Sequence, residues 1–144
     1  MLIASLEAFA HATEDLGKVS QALLNLLPPE LRSRAEVSYE AVKGHYDNPI
    51  TILRAVLRGD EAMSLLAFLA RSMDGADKAL LDATLRLRVD ENGNLYLRFE
   101  KGAAYQGLIK LTERGEAIKV KVSIPASARR RGLRPFLAEV GLVK

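Results

Sequence analysis

Apolar and polar side chains alternate through the middle of the chain, from Leu85 to Phe99 (LRLRVDENGNLYLRF). Leu85, Leu87 and Val89 point one way, and Arg86, Arg88 and Asp90 the other. Past the glycine, Leu95, Leu97 and Phe99 alternate with Tyr96, Arg98 and Glu100, so the stretch reads as two strands of a hairpin. Asn92-Gly93 invites a two-residue turn, but that register sets Leu87 against Arg98 and mixes the faces. A three-residue loop, Glu91-Asn92-Gly93, instead pairs Val89 with Leu95, Leu87 with Leu97 and Leu85 with Phe99. Gly93 then takes the left-handed position of a bulged hairpin.

The same patterning orders the rest of the chain. Residues 2 to 11 form a first strand, with Leu6, Ala8 and Ala10 alternating against Glu7 and Phe9. Thr13 caps a helix whose stripe is Leu16, Val19, Leu23, Leu26 and Leu27, and Pro28-Pro29 stops it. Glu36 to Lys43 and Ile50 to Arg58 are strands around a GHYDNP turn. Asp60 caps a second helix with the stripe Ala62, Leu65, Leu66, Leu69 and Met73, which Asp74-Gly75 breaks. A third helix covers about Ala76 to Thr84. Lys101 to Gly107 is a loop. Leu108–Leu111 and Ala117–Ile124 make another hairpin, in which Arg114-Gly115 pairs Leu111 with Ile118 and Ile109 with Val120. Pro125 ends the last strand, and Arg134 to Val140 is a short helix. The order predicts an α+β fold: a mixed, largely antiparallel sheet with helices on one face. Residues 1–124 form that domain and 125–144 a basic extension.

Charge changes the picture more than composition does. The 144 residues are 49% apolar, enough for a core, and no cysteine is present, which fits a reducing cytosol. Cytoplasmic location is the expectation. Residues 1 to 27 lack a basic leader pattern, so no signal peptide is expected, and no apolar run approaches a membrane span. Net charge is +3. From Pro125 onward five basic residues face one acid, while the remainder carries 16 basic residues and 17 acids. A balanced body with a basic end suits a polyanion partner or simple solubility.

The blocks HATED (His11 to Asp15), YEAVKGHYDNPITIL (Tyr39 to Leu53), VDENGNLYLRFEK (Val89 to Lys101) and AYQG (Ala104 to Gly107) carry a resemblance. Over residues 3 to 122 the chain resembles an archaeal family of small RNA-binding proteins often labelled predicted exosome subunits. The resemblance implies a split β-α-β domain similar to the ribosomal protein that binds five-S RNA. It also implies binding to structured or double-stranded RNA, a homodimer, and exosome or ribosome-associated proteins as further partners. Residues 123 to 144 fall outside it.

Each candidate RNA contact has a plainer use beside it. Arg129, Arg130, Arg131 and Arg134 either clamp phosphates with bidentate bonds or form a solvated tail. Lys110, Lys119 and Lys121 share a strand face, suited to tracking a phosphate backbone or to keeping a sheet from aggregating. Arg86, Arg88 and Arg98 share the hairpin's outward face with Asp90 and Glu100, which favours ion pairs. His45 and Tyr46 sit in a loop beside Lys43, where an aromatic next to cations stacks on a base or packs a turn. Lys101 and Tyr105 sit in the loop after the hairpin, facing RNA or packing it. His11 is read as a strand-end hydrogen bond. The acids are scattered, and no P-loop, HExxH, nucleophile elbow or CxxC occurs. The expectation is a non-catalytic RNA binder with no cofactor and no metal. The alternatives are an assembly module, docking through a strand edge or the Phe136, Leu137 and Val140 segment, and a metal-dependent ribonuclease.

Overall fold

A computed structural model describes residues 1–144, with His45 given by its backbone alone. Five strands make one sheet: β1 (Ile3–His11), β2 (Ser38–Lys43), β3 (Pro49–Arg58), β4 (Asn94–Glu100) and β5 (Ala117–Ser123). They run in the order β2-β3-β1-β5-β4, with every neighbouring pair antiparallel. Seven helices complete the chain: α1 (Leu16–Leu24), α2 (Pro29–Arg32), α3 (Asp60–Ser72), α4 (Gly75–Ala83), α5 (Leu85–Arg88), α6 (Lys101–Tyr105) and α7 (Leu133–Val140). The fold is α+β, as the order of elements predicts.

β1 is central because alternate residues, Ala4, Leu6, Ala8 and Ala10, are all buried. Three of the four are alanines, whose small side chains let helices sit close on the strand. The row Leu97–Val120–Leu6–Ala55 crosses four strands on this face. α1 supplies Val19, Ala22 and Leu23, and α3 supplies Ala62, Leu65, Leu66 and Leu69. Asp15 caps α1, accepting from the Gly17 and Lys18 N–H groups at 2.9 and 3.3 Å, in place of the expected Thr13. The tight turn that closes between Glu14 N and His11 O moves the helix start two residues on.

Three expected elements differ. Leu85 to Arg88 is a turn of helix, not a strand. Leu85 and Arg88, three apart, are buried, and Leu87 is 86% exposed. Arg88 donates to Thr84 Oγ1 at 2.9 Å and pairs with Glu113 at 3.0 Å, which satisfies the buried guanidinium. Of the expected hairpin only the Val89–Leu95 bridge remains, with Gly93 in the left-handed conformation as predicted (φ 83°). The second hairpin is opened: β4 lies between its two arms. Phe99 meets Leu111 on one side and Ile118 on the other. β5 therefore pairs with β1 on one edge and β4 on the other, with Ile118, Val120 and Val122 buried beneath it. Residues 101–105, expected as loop, form α6.

Residues 125–144 fold onto the domain. Phe136, Leu137, Leu142 and Val143 are buried in the common core, and Gly141 ends α7 in the left-handed conformation (φ 97°), where a β-carbon would lie 3.6 Å from that of Ala70. The apolar segment expected to dock on this chain or on a neighbour is covered by its own domain.

Candidate nucleic-acid interface

The face of the sheet away from the helices is open to solvent, and the registers fix what lies on it. One row reads Tyr96–Lys121–Ser5–Val56 and the next Arg98–Lys119–Glu7–Arg54. Lys110 joins the same face at the outer edge. It sits opposite Glu100, since the Glu100 N–H donates to the Lys110 carbonyl at 2.8 Å and its neighbours Ile109 and Leu111 are buried. Lys110, Lys119 and Lys121 therefore do share a face, though β4 separates the first from the other two.

Aromatic rings lie among these cations. The Lys119 ammonium is 5.2 Å from the centre of the Phe9 ring, and that of Lys121 is 5.9 Å from the Tyr96 ring. Such contacts orient a lysine without neutralising it. Two acids of this face are spent on one arginine: Arg54 binds Glu40 at 2.6 Å and Glu7 at 3.0 Å, and both bonds raise its pKa. Between the two rows a shallow hollow of about 330 Å³ is walled by Tyr96, Arg98, Lys119 and Lys121, with Ser5 and Glu7 at its far side. Arg98 Nη2 donates to the Gly115 carbonyl, and its Nε has no partner among the described residues.

Asp90 positions Tyr96. Its carboxylate accepts from the Asn92 and Asn94 N–H groups, from Asn94 Nδ2 and from the Tyr96 hydroxyl, all at 2.9–3.0 Å. The Asn94 bonds, side chain first, hold the Asp90 carboxyl down at about 2. A carboxyl lowered in the folded state contributes stability above its ordinary value of 3.8, which is lost as pH falls through about 2. Asp90→Asn is therefore expected to melt at a lower temperature than the parent at neutral pH. The gap should close between about pH 4 and pH 2 in melts followed by circular dichroism. A gap independent of pH would deny the carboxylate this role.

The other candidates are dispersed. Arg129 is turned inward: its Nε donates to the Ile124 carbonyl at 3.1 Å and its guanidinium covers Gly93. Arg134 binds the Asp82 carboxylate and carbonyl. Arg130 and Arg131 remain exposed. This group sits at the Asn94 end of the sheet, whereas Lys43 and Tyr46 lie at the tip of the β2–β3 hairpin, at the opposite end and edge. Tyr46 is 96% exposed, with a left-handed backbone (φ 60°). The side chain of His45 lies outside the described residues.

Lys101 is buried. Its ammonium donates to the Phe9 carbonyl at 2.9 Å and pairs with Glu14 at 2.8 Å and Glu116 at 3.0 Å, and His11 Nε2 meets Glu116 at 3.0 Å. His11, Glu14 and Glu116 converge closely enough to ligate a cation, but the lysine already supplies the positive charge there. Tyr105 lies under the Lys18 ammonium at 5.8 Å, packed beside α1.

Tyr96, Arg54 and Arg58 are not singled out as contacts by the sequence, yet they share the open face with the lysines and with Arg98, for which the sequence favours ion pairs. The signal was there for Arg54, Val56 and Arg58, which alternate with buried Leu53, Ala55 and Leu57.

Relatives share this architecture. Over 96% of this chain and 97% of its own, protein AF2318 from Archaeglobus fulgidus superposes with a TM-score of 0.80 at 31% identity. Mth689 from Methanothermobacter thermautotrophicus, a DUF54 protein, superposes with a TM-score of 0.74 at 30% identity, covering 96% of each chain. The RNA-binding protein PAB1135 of Pyrococcus abyssi is 33% identical over 124 residues, which is 84% of this chain and 80% of that protein. A family model described as RNA binding matches residues 4–124, from the start of β1 to the end of β5, and with it the whole open sheet. By that match and these relatives, the chain belongs to this archaeal RNA-binding protein family.

Proposed function

We propose that the protein binds structured or double-stranded RNA across its open sheet face, through phosphate and shape contacts and without catalysis. One observation carries this reading: Lys110, Arg98, Lys119 and Lys121 lie on a single uncovered face, with aromatic rings between them. Five strands span ~19 Å between the outermost two. A surface of that width suits the wide, shallow groove of an A-form helix, where backbone and 2′-hydroxyls are presented and bases are poorly read. The absence of turnover is supported by the acids: a two-metal nuclease needs converging carboxylates free to hold magnesium. Here Glu7 and Glu40 serve Arg54, and Glu14 and Glu116 serve Lys101.

A gel shift near physiological salt tests the proposal, with duplex RNA as probe and duplex DNA and single strands as controls. Retarded RNA that stays intact in magnesium supports it. No retardation of any RNA, or cleavage lost on acid-to-alanine substitution, overturns it. We include in the proposal a cytoplasmic homodimer that serves RNA-processing assemblies such as the exosome. Light scattering should give twice the 15.8 kDa chain mass. The arginine segment makes a smaller prediction. With Arg129 and Arg134 engaged inside the fold, Arg130→Ala/Arg131→Ala should lower the salt dependence of binding by at most about two units of slope.

A further inference from the structure

The geometry points to a nucleotide pocket: the hollow between the Tyr96–Lys121 and Arg98–Lys119 rows takes one unpaired base of an otherwise helical RNA, stacked on Tyr96, with its phosphate on the lysines. This inference rests on the RNA-binding reading above and narrows its substrate class to helices that carry a bulged or flipped-out nucleotide.

Three features of the hollow support a base over a bare phosphate. The first is its volume, about 330 Å³, at the small end of pockets that enclose ligands of nucleotide size. The second is the split of its charge. Lys119 and Lys121 on β5 stand between Arg98 on β4 and, on β1, the Ser5 hydroxyl and the Glu7 carboxylate, one of whose oxygens binds Arg54. A carboxylate repels a phosphate, but accepts a hydrogen bond from the N–H groups on a base edge. Cations and acceptor together therefore match a nucleotide, whose phosphate and base occupy different ends. The third is the ring. Tyr96 is 43% exposed at the rim, and its hydroxyl is tied back to Asp90, so the ring is held in place before anything binds. A fixed aromatic face stacks on any base with little ordering cost, which gives affinity without sequence preference.

The position of the hollow excludes a free small molecule as the natural occupant. It opens onto a flat face on which further cations, Lys110 on one side and Arg58 on the other, continue away from it. A chain of phosphates can follow those cations; a lone nucleotide leaves them idle. A perfect duplex can lie over the face, but keeps its bases paired and leaves the hollow empty. A duplex with one extruded base fills both.

The test uses the intact protein and two RNA duplexes, one fully paired and one with a single bulged 2-aminopurine. The fluorescence of the bulged base should change on binding, and the bulged RNA should bind about tenfold more tightly, within the range of base–aromatic stacking. Tyr96→Ala should bring the affinity for the bulged RNA down to that for the fully paired duplex. Tyr96→Phe, which also lacks the bond to Asp90 but keeps the ring, should retain it. Equal affinity for the two RNAs with unchanged fluorescence overturns the pocket and leaves the proposed function standing. Failure of both RNAs to bind overturns both. The fluorescence measurement on the unsubstituted protein decides the matter even where Tyr96→Ala does not fold.

Discussion

Lys119→Gln/Lys121→Gln should weaken binding of duplex RNA about 30-fold near physiological salt, the effect of losing two solvent-screened phosphate contacts of about 1 kcal/mol each. The slope of log affinity against log salt should shrink by about two units, because each neutralised phosphate releases its counterion. Glutamine keeps the aliphatic stems and removes only the charges. The fold should hold. Neither ammonium belongs to an ion pair among the described residues, and each gives up one exposed cation–π contact, so the loss of stability should stay within about 1–2 kcal/mol. The same assay on Lys43→Gln should show the parent's affinity and slope, because that residue stands at the far hairpin tip. Filter binding across a salt series measures all of these. If the double variant and the parent share one slope, the open face is not the RNA surface.

The layout of this surface was half legible in the sequence. Period-two alternation is enough to put Lys119 and Lys121 on one side of β5 and Ile118, Val120 and Val122 on the other. It says nothing about which strands flank β5, because alternation fixes a face and not a neighbour. Leu111 paired with Ile118 satisfies the pattern as well as the observed Phe99 does. What separates them is the order of strands in the whole sheet, which no local window contains. The company of Tyr96 and Arg98 follows from that long-range pairing and could not be seen locally. Leu85 to Arg88 shows a different limit. LRLR alternates with period two, while Leu81, Leu85 and Val89 recur every four residues, so the short run fits a strand or one helical turn. The choice is settled by Glu113, 25 residues away, which makes a buried Arg88 tolerable. β1, β3, α3 and β5 are read to within a residue or two, because each pattern admits one period only.

Lys101→Met should cost about 2–3 kcal/mol of stability and lower the melting temperature by about 10 °C. The side chain at the start of α6 joins the Phe9 carbonyl on β1, Glu14 ahead of α1 and Glu116 ahead of β5. Methionine matches its length but leaves two carboxylates facing each other and a strand carbonyl without its partner. Breaking a fully buried ion pair costs about 3–5 kcal/mol; Glu116 is half open to water, which places this site lower. Burial pushes the Glu14 carboxyl up, but the His11 N–H and the Lys101 ammonium outweigh it and hold the group below 4.5. The Lys101 bond, against a smaller burial effect, does the same for Glu116. Lowered carboxyls contribute stability above 4.5 that is lost as pH falls through their folded values, so parent and variant should converge in acid. Adding Glu14→Gln to Lys101→Met should restore part of the loss, since it removes one of the two facing charges. Below its melting temperature the variant should bind RNA as the parent does, because the ammonium it lacks points into the protein. Weaker RNA binding with an unchanged melting temperature would instead return Lys101 to the RNA surface.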